Sequence, residues 1–287
     1  MKINSSEKPT VKVFLGVTAA LGMSSILFVG CSKNSETVST PPLTPANQPN
    51  VQIVPKHEDT LPDDKRVIYL TFDDGPNKGT ENLLKVLHKR NVKATTFLVG
   101  KHVGGSTKQM LDFEDLRKDS LIEIANHSFS HALNKYNEFY RDPAKVVIDF
   151  DTANKVLKLN DKIARTPGRN IWRLNTVNST DIKSSTKAAD GLQMAGYKLV
   201  GWDLEWKPNN KMMLKGSHQN MMKKVDSIFL NDLEKTSRHL VFLTHDQYFQ
   251  DEESVNEFDH FIELLQKTNK FEFRKISDYP KIKQIPN

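Results

Sequence analysis

Cysteine is almost absent. One residue in 287, Cys31, carries a thiol, so no intramolecular disulfide can form and the chain must hold itself together through its core. A strong excess of one charge is also lacking. The formal net charge is +6, and Lys2, Lys8 and Lys12 against Glu7 account for part of it, leaving +4 for a chain cleaved after residue 30. That mild basic balance suits an anionic cell surface and is too weak to argue for nucleic acid without a concentrated basic patch. No internal repeat is visible. What is present is ordinary for a soluble globular body, 37% hydrophobic and 26% charged residues. The length suits one large domain plus extra segments.

The N-terminus carries a signal of its own. Three lysines precede an apolar run from Val13 to Gly30, and Cys31 follows directly. A charged region, an apolar region and a small residue before the cleavage point make a secretory leader over residues 1–30. The sole cysteine after it resembles the lipobox of bacterial lipoproteins, in which that cysteine is lipidated and becomes the mature N-terminus. Phe28 departs from that pattern, where leucine is usual. An uncleaved membrane anchor is the alternative, although Gly16, Thr18, Gly22, Ser24 and Ser25 make the run a poor one. Either way the expected location is extracytoplasmic, in the cell envelope, with the membrane reached through Cys31.

Residues 31–65 are polar and contain Pro41, Pro42, Pro45, Pro49, Pro55 and Pro62 with no helical or strand period, as in a semi-extended tether. After Lys65 the pattern changes. The β-branched, apolar run Arg66–Phe72 predicts a buried strand, and Thr80–Lys89 predicts a helix with Thr80 as its cap. Strands follow over Lys93–Gly100, Leu121–Ala125, Tyr197–Trp202 and His239–Leu243. Helices alternate with them over Ala144–Leu159, Ser217–Leu233 and Phe258–Thr268. Strand followed by helix, repeated over residues 66–287, predicts an α/β fold of parallel strands with helices outside, the size of a single barrel domain. In such a fold the active site forms at the C-terminal ends of the strands. Asp73-Asp74, His127, Asp203 with Glu205, and His245 each follow a predicted strand, so separate segments aim titratable groups at one rim.

Asp73 and Asp74 close a buried strand, and Gly75-Pro76 forces a turn behind them. Adjacent side chains on an extended backbone diverge, so one carboxylate can bind a metal while the other serves as a base. His127 and His131 stand four residues apart, a spacing that puts both rings on one face of a helical turn, as in helix-borne zinc pairs. Two imidazoles and one carboxylate leave an open metal face for water. Arg165-Thr166-Pro167-Gly168 is a loop whose arginine can pair with a carboxylate. His245 ends the last strong strand, and a histidine there can serve as general acid. Trp172, Trp202 and Trp206 flank these loops; core packing is the commoner use of tryptophan, stacking on sugar rings the other.

The order of these segments resembles the polysaccharide deacetylase family, the NodB-homology group also called carbohydrate esterase family 4. Thr71-Phe72-Asp73-Asp74-Gly75-Pro76, His127-Ser128-Phe129-Ser130-His131, Arg165-Thr166-Pro167-Gly168, Trp202 to Trp206 and Leu243-Thr244-His245 carry the likeness over about residues 66–250. It implies a distorted (β/α) barrel of seven or eight strands and one divalent metal, usually zinc, with cobalt or nickel also accepted by such ligands. By position, Asp74, His127 and His131 would hold the metal. Asp73 would be the base, oriented by Arg165, and His245 would protonate the leaving amine. The backbone N–H near Gly168 would donate to the oxyanion. Two departures stand out: an aromatic residue is usual where Gly168 lies, and the Asp-Trp of the fourth motif is replaced by Glu205-Trp206, with Asp203 two residues earlier. Either carboxylate can be the one that steadies His245.

The resemblance implies removal of N-acetyl groups from an N-acetylglucosamine-containing envelope or extracellular polysaccharide. An O-acetyl esterase on a xylan-type polymer is the alternative on the same fold, and a catalytically silent glycan-binding lipoprotein is a third reading. Acetylated polysaccharide is the expected partner; no protein partner is implied.

Overall fold

The computed structural model describes residues 61–62, 65–280 and 282. The leader, Cys31 and almost all of the tether lie outside them. The described elements belong to one compact unit, Lys56–Asn287. Among the described residues no helix is long and apolar enough to cross a membrane.

The strands are β1 (Arg66–Gly75), β2 (Ala94–Leu98), β3 (Ile122–Asn126), β4 (Ile163–Ala164), β5 (Ile171–Arg173), β6 (Asn178–Thr180), β7 (Lys198–Leu199), β8 (Leu204–Glu205), β9 (His239–His245) and β10 (Phe271–Phe273). The helices are α1 (Thr80–Arg90), α2 (Gly100–Val103), α3 (Thr107–Lys118), α4 (Tyr136–Phe139), α5 (Pro143–Leu157), α6 (Thr186–Met194), α7 (His218–Leu230) and α8 (Glu252–Lys267). One sheet runs β6-β5-β7-β4-β3-β2-β1-β9-β8, with β10 beside the start of β1. All pairings are parallel except β5 with β6 and with β7.

This is the expected α/β fold, a distorted barrel, although the described residues hold ten strands rather than seven or eight. The additions are pieces of two or three residues, too short to leave a period in the sequence. Curling follows from one connection. β7 pairs with β4 far along the path and β8 lies at its opposite end, yet residues 200–203 join them. Five Cα steps reach at most roughly 18 Å, so the sheet must bend round on itself.

β1 runs through the middle with alternate residues on two faces. Ile68, Leu70 and Phe72 join an outer core with Leu83 and Leu87 of α1, Val225 and Phe229 of α7, and Phe258, Phe261, Ile262 and Leu265 of α8. The spacing of that last set is the helical i, i+3, i+4, i+7 stripe, and each buried phenylalanine contributes about 1.5–3 kcal/mol. Val67 and Tyr69 face the other way, into an inner core with Phe97, Trp172 and Val241. Thr71 and Asp73 continue this inner row, which delivers a carboxylate to the barrel mouth.

Several sequence-based boundaries change. The strand expected over Tyr197–Trp202 shrinks to Lys198–Leu199, and Leu204–Glu205 becomes a separate strand against β9. Helix α8 begins at Glu252, capped by Asp251, six residues ahead of the expected start. Helices α3 and α6 give no clear sequence signal. In α3, Met110 and Leu111 are half-exposed while Phe113 and Leu116 are buried, which blurs the apolar stripe. Thr80 is the first residue of α1 rather than its cap: its hydroxyl accepts the Asn77 N–H at 2.8 Å and donates to Asp246 at 2.5 Å.

Candidate active site and metal centre

The strand ends bring Asp73, Asp74, His127, His131, Arg165 and His245 together, as their positions in the sequence led us to expect. The way two pairs meet is different. Strict alternation would send Asp73 and Asp74 to opposite faces. Instead the β1–β2 register slips between Asp73 and Gly75, and Asp74 takes φ +74°, a left-handed bulge. Both carboxylates therefore approach His127 Nε2, Asp73 Oδ2 at 3.7 Å and Asp74 Oδ1 at 3.4 Å.

The histidines do not share a helical face. His127 follows β3 directly, Ser128 has φ +66°, and His131 opens a short 3-10 segment with φ +51°. A folded loop brings the rings to 5.2 Å between centroids. Polar groups hold that loop: Asn126 Oδ1 accepts the Ser128 N–H at 2.7 Å, Ser128 Oγ the His131 N–H at 3.0 Å, and the half-buried Asp149 Oδ2 the N–H groups of Phe129 and Ser130 at 2.9 and 3.2 Å. Asp149 was not visible as a site residue, because it sits mid-helix in α5 with no local motif.

Donor atoms of Asp74, His127 and His131 lie within 4.8 Å of one another. Two observations test whether this set fits a cation. His127 Nδ1 donates to the Arg165 carbonyl at 3.0 Å, which leaves the Nε2 lone pair facing the carboxylates. Asp74 Oδ1 is buried without a hydrogen-bond partner, although His131 Nε2 stands 2.9 Å away. An orphaned carboxylate oxygen between two imidazoles is what a divalent cation satisfies, so the residues fit one. Burial works against ionisation of Asp74, but the neighbouring imidazoles outweigh it and hold its carboxyl well below the usual range. Burial likewise opposes protonation of His127, and the charges of Asp73 and Asp74 overcome it and raise its pKa.

Arg165 is fully buried behind Asp73. Its NH1 donates to Asp73 Oδ1 at 2.9 Å and to Thr71 Oγ1 at 2.8 Å, while Nε and NH2 reach the carbonyls of Val200 and Gly201 at 3.0 and 2.8 Å. Phe97 lies 4.1 Å below the guanidinium. Burial pulls the Arg165 pKa below its ordinary value, opposed by Asp73. One Asp73 oxygen is thus tied to Arg165 and the other faces the cation site.

His245 stands level with Asp73 in the β1–β9 ladder, its Nε2 3.9 Å from Asp74 Oδ2. Neither carboxylate proposed to steady it does so. Asp203 precedes β8, and its oxygens accept the N–H groups of Lys235 and Val241 at 2.9 and 2.7 Å. It ties down the start of β9, four residues from the histidine, and burial pushes its pKa up to about 6. Glu205 lies 3.7 Å from Lys207. His245 Nδ1 is buried and has no partner, while the ring packs beside Tyr248 at 5.1 Å.

Gly168 is exposed, with φ +62°. A Cβ there would meet the Tyr136 ring at 3.0 Å, and that ring stands edge-on to His131 at 5.8 Å. An aromatic ring is therefore present next to this position, supplied by Tyr136. Trp172 and Trp206 are core residues; Trp202 is partly exposed and lies 5.9 Å from Arg165.

Sequence reading also missed Asp246. Fully buried just past the end of β9, it accepts hydrogen bonds from Asn77 and from Thr80, and its backbone carbonyl would stand 1.8 Å from a Cβ on Gly79. Burial and the Asp74 charge push its carboxyl up to about 7. Asp246 thereby fastens the turn after Asp73-Asp74 to the strand that carries His245.

The sequence pattern described as polysaccharide deacetylase matches residues 60–169. Over those residues the chain is similar to the polysaccharide deacetylase family. It is 30% identical over 210 residues to the chitin disaccharide deacetylase of Vibrio alginolyticus, covering 52% of this chain and 49% of that one. It is also 30% identical over 155 residues to the peptidoglycan-N-acetylglucosamine deacetylase of Bacillus cereus, covering 51% and 50%. The chain spans about half the length of these curated relatives. The solved catalytic domain of a peptidoglycan N-acetylglucosamine deacetylase from Eubacterium rectale superposes with a TM-score of 0.53 at 27% identity, over 80% of this chain and 97% of that one. The match in fold covers that domain almost end to end.

Proposed function

We propose that the protein is a metal-dependent deacetylase that hydrolyses N-acetyl groups on an N-acetylhexosamine polymer of the cell envelope. The observation that carries this reading is the juxtaposition of two carboxylates with two tasks: Asp74 Oδ1 lies between the imidazoles of His127 and His131, and Asp73 is held by Arg165 with its second oxygen free toward them. Asp74, His127 and His131 would hold a divalent cation, zinc being the favoured one, which would supply Lewis-acid polarisation of the acetyl carbonyl and a lowered pKa for the attacking water. Asp73 takes the proton from that water, and Arg165 keeps the carboxylate aimed. A backbone N–H in the Gly168 turn donates to the oxyanion, a contact that typically contributes about 3–4 kcal/mol. His245 donates a proton to the amide nitrogen as the C–N bond breaks. Its Nδ1 finds no carboxylate partner, so its orientation rests on packing against Tyr248.

Lipidation of Cys31 after cleavage of residues 1–30 would tether the domain outside the cytoplasm through the polar segment 31–65. The decisive experiment measures acetate released by the metal-loaded protein from N-acetylchitooligosaccharides and from acetylated xylan side by side. Release from the amino-sugar polymer supports the reading. Release from xylan alone replaces it with the ester reading, and release from neither overturns it.

A further inference from the structure

A cavity of about 460 Å³ opens beside His131, within the range of roughly 300–1,000 Å³ found for small-ligand sites. The proton transfers above do not use it. Its walls are tied to the site by four hydrogen bonds. His102 Nδ1 donates to the Asp74 carbonyl at 2.7 Å and Gln109 Nε2 to the Pro76 carbonyl at 2.9 Å. The backbone N–H groups of Gly100 and Lys101 donate to the carbonyls of Ser128 and Phe129, both at 3.0 Å. The cavity thus keeps a constant offset from Asp74 and His131.

Its chemistry differs from that of the neighbouring centre. No aspartate or glutamate lines it, whereas Lys101, His102 and His131 do. The side chain of Lys101 is exposed and has no hydrogen bond or ion pair among the described residues. Because His102 Nδ1 carries its hydrogen toward a carbonyl, Nε2 is left as an acceptor for a hydroxyl. At the lip, Leu133 is 63% exposed. It sits in a run of four left-handed residues, His131 to Asn134, with φ between +48° and +59°. Such backbone is costly for L-residues and survives where the surroundings impose it, commonly at ligand sites. The result is an apolar contact suited to the C–H face of a sugar ring.

We propose that this cavity is a glycan subsite that takes the sugar next to the one being deacetylated, and that Lys101 selects a sugar bearing a carboxylate. The inference rests on the deacetylase reading and adds the substrate's charge to it. A neutral sugar leaves the ammonium group without a partner; a carboxylate gives it a charge-assisted hydrogen bond.

The test compares kcat/KM for acetate release from a tetrasaccharide of alternating N-acetylglucosamine and N-acetylmuramic acid with that from N-acetylchitotetraose, using the full chain loaded with zinc. The expected preference for the acidic glycan is about ten-fold, carried by KM, the size of one charge-assisted hydrogen bond. Lys101→Gln should bring the ratio near one, Lys101→Arg should keep most of it, and high salt should shrink it. Calorimetric binding of the acidic tetrasaccharide should weaken about ten-fold in Lys101→Gln, and this readout stands without turnover. An equal preference in the unchanged protein, or a ratio and affinity untouched by Lys101→Gln, overturns the subsite. Acetate from neither glycan overturns the deacetylase reading instead, and the binding measurement then decides the subsite by itself.

Discussion

Asp73 and Asp74 are neighbours in the chain with the same side chain, and their surroundings differ. Arg165 grips one oxygen of Asp73, while Asp74 has an orphaned oxygen between two imidazoles. Asp73→Asn keeps the shape and, on the proposed mechanism, removes the base. We expect kcat to fall about 10²–10⁴-fold with metal content unchanged, checked by acetate release and elemental analysis of the same sample. Loss of the metal together with activity would reassign Asp73 as a ligand. Asp246 makes a pH prediction. Its carboxyl titrates near 7 in the folded chain against 3.8 for the ordinary group, so the folded state keeps a proton that the unfolded chain has released. Its contribution is therefore harmless below about pH 4, costs stability as pH rises, and is complete above about 7, at up to roughly 4 kcal/mol. Asp246→Asn removes that slope. Urea unfolding of the metal-free protein from pH 4 to pH 8 should show the variant gaining on the parent as pH rises; parallel curves would refute it.

At the scale of elements, the site depends on how β1, β8 and β9 are fastened. Asp203 joins the loop before β8 to the backbone of β9 and to Lys235. Asp203→Asn replaces one acceptor oxygen with a donor and leaves a buried N–H unpaired, a loss of about 1–3 kcal/mol. Because Asp203 does not touch His245, the limb of the pH–rate profile that reports the general acid should stay in place. A melting temperature that holds while this limb moves would restore Asp203 as the partner of His245. The turn after β1 is similarly constrained, since Gly79 lies against the Asp246 carbonyl with no room for a Cβ.

Over the whole molecule, a cation at Asp74, His127 and His131 would join β1 to the loop after β3, segments far apart in the sequence. Binding to the folded state alone stabilises it by RT ln(1 + [L]/Kd), about 2.7 kcal/mol at a hundred-fold excess over Kd. Chelation should therefore lower the melting temperature and zinc should restore it, while Asp74→Asn should melt at one temperature in both conditions. An unchanged melting temperature in the parent would argue against a resident cation.

The buried runs Arg66–Phe72, Lys93–Gly100 and His239–Leu243 declared themselves by composition, as did the α8 stripe, because burial on both faces of a strand or one face of a helix leaves a period that a linear reading detects. The motif residues were legible for a similar reason: their types and order are unusual. Their arrangement was not. Alternation placed Asp73 and Asp74 apart, and the bulge at Asp74 turns both inward. The four-residue spacing of His127 and His131 suggested a helix, where Asn126, Ser128 and Asp149 build a left-handed loop. Asp203, Asp246, His102 and Tyr136 acquire their contacts only when the sheet curls and distant strand ends meet. By itself the sequence determined the longer strands β1, β2, β3 and β9 and the motif side chains that bear chemistry, since those depend on local pattern. Only the tertiary structure decided which of those side chains meet, because bulges, hydrogen-bonded loops and sheet closure are set by contacts between segments that no window of sequence contains.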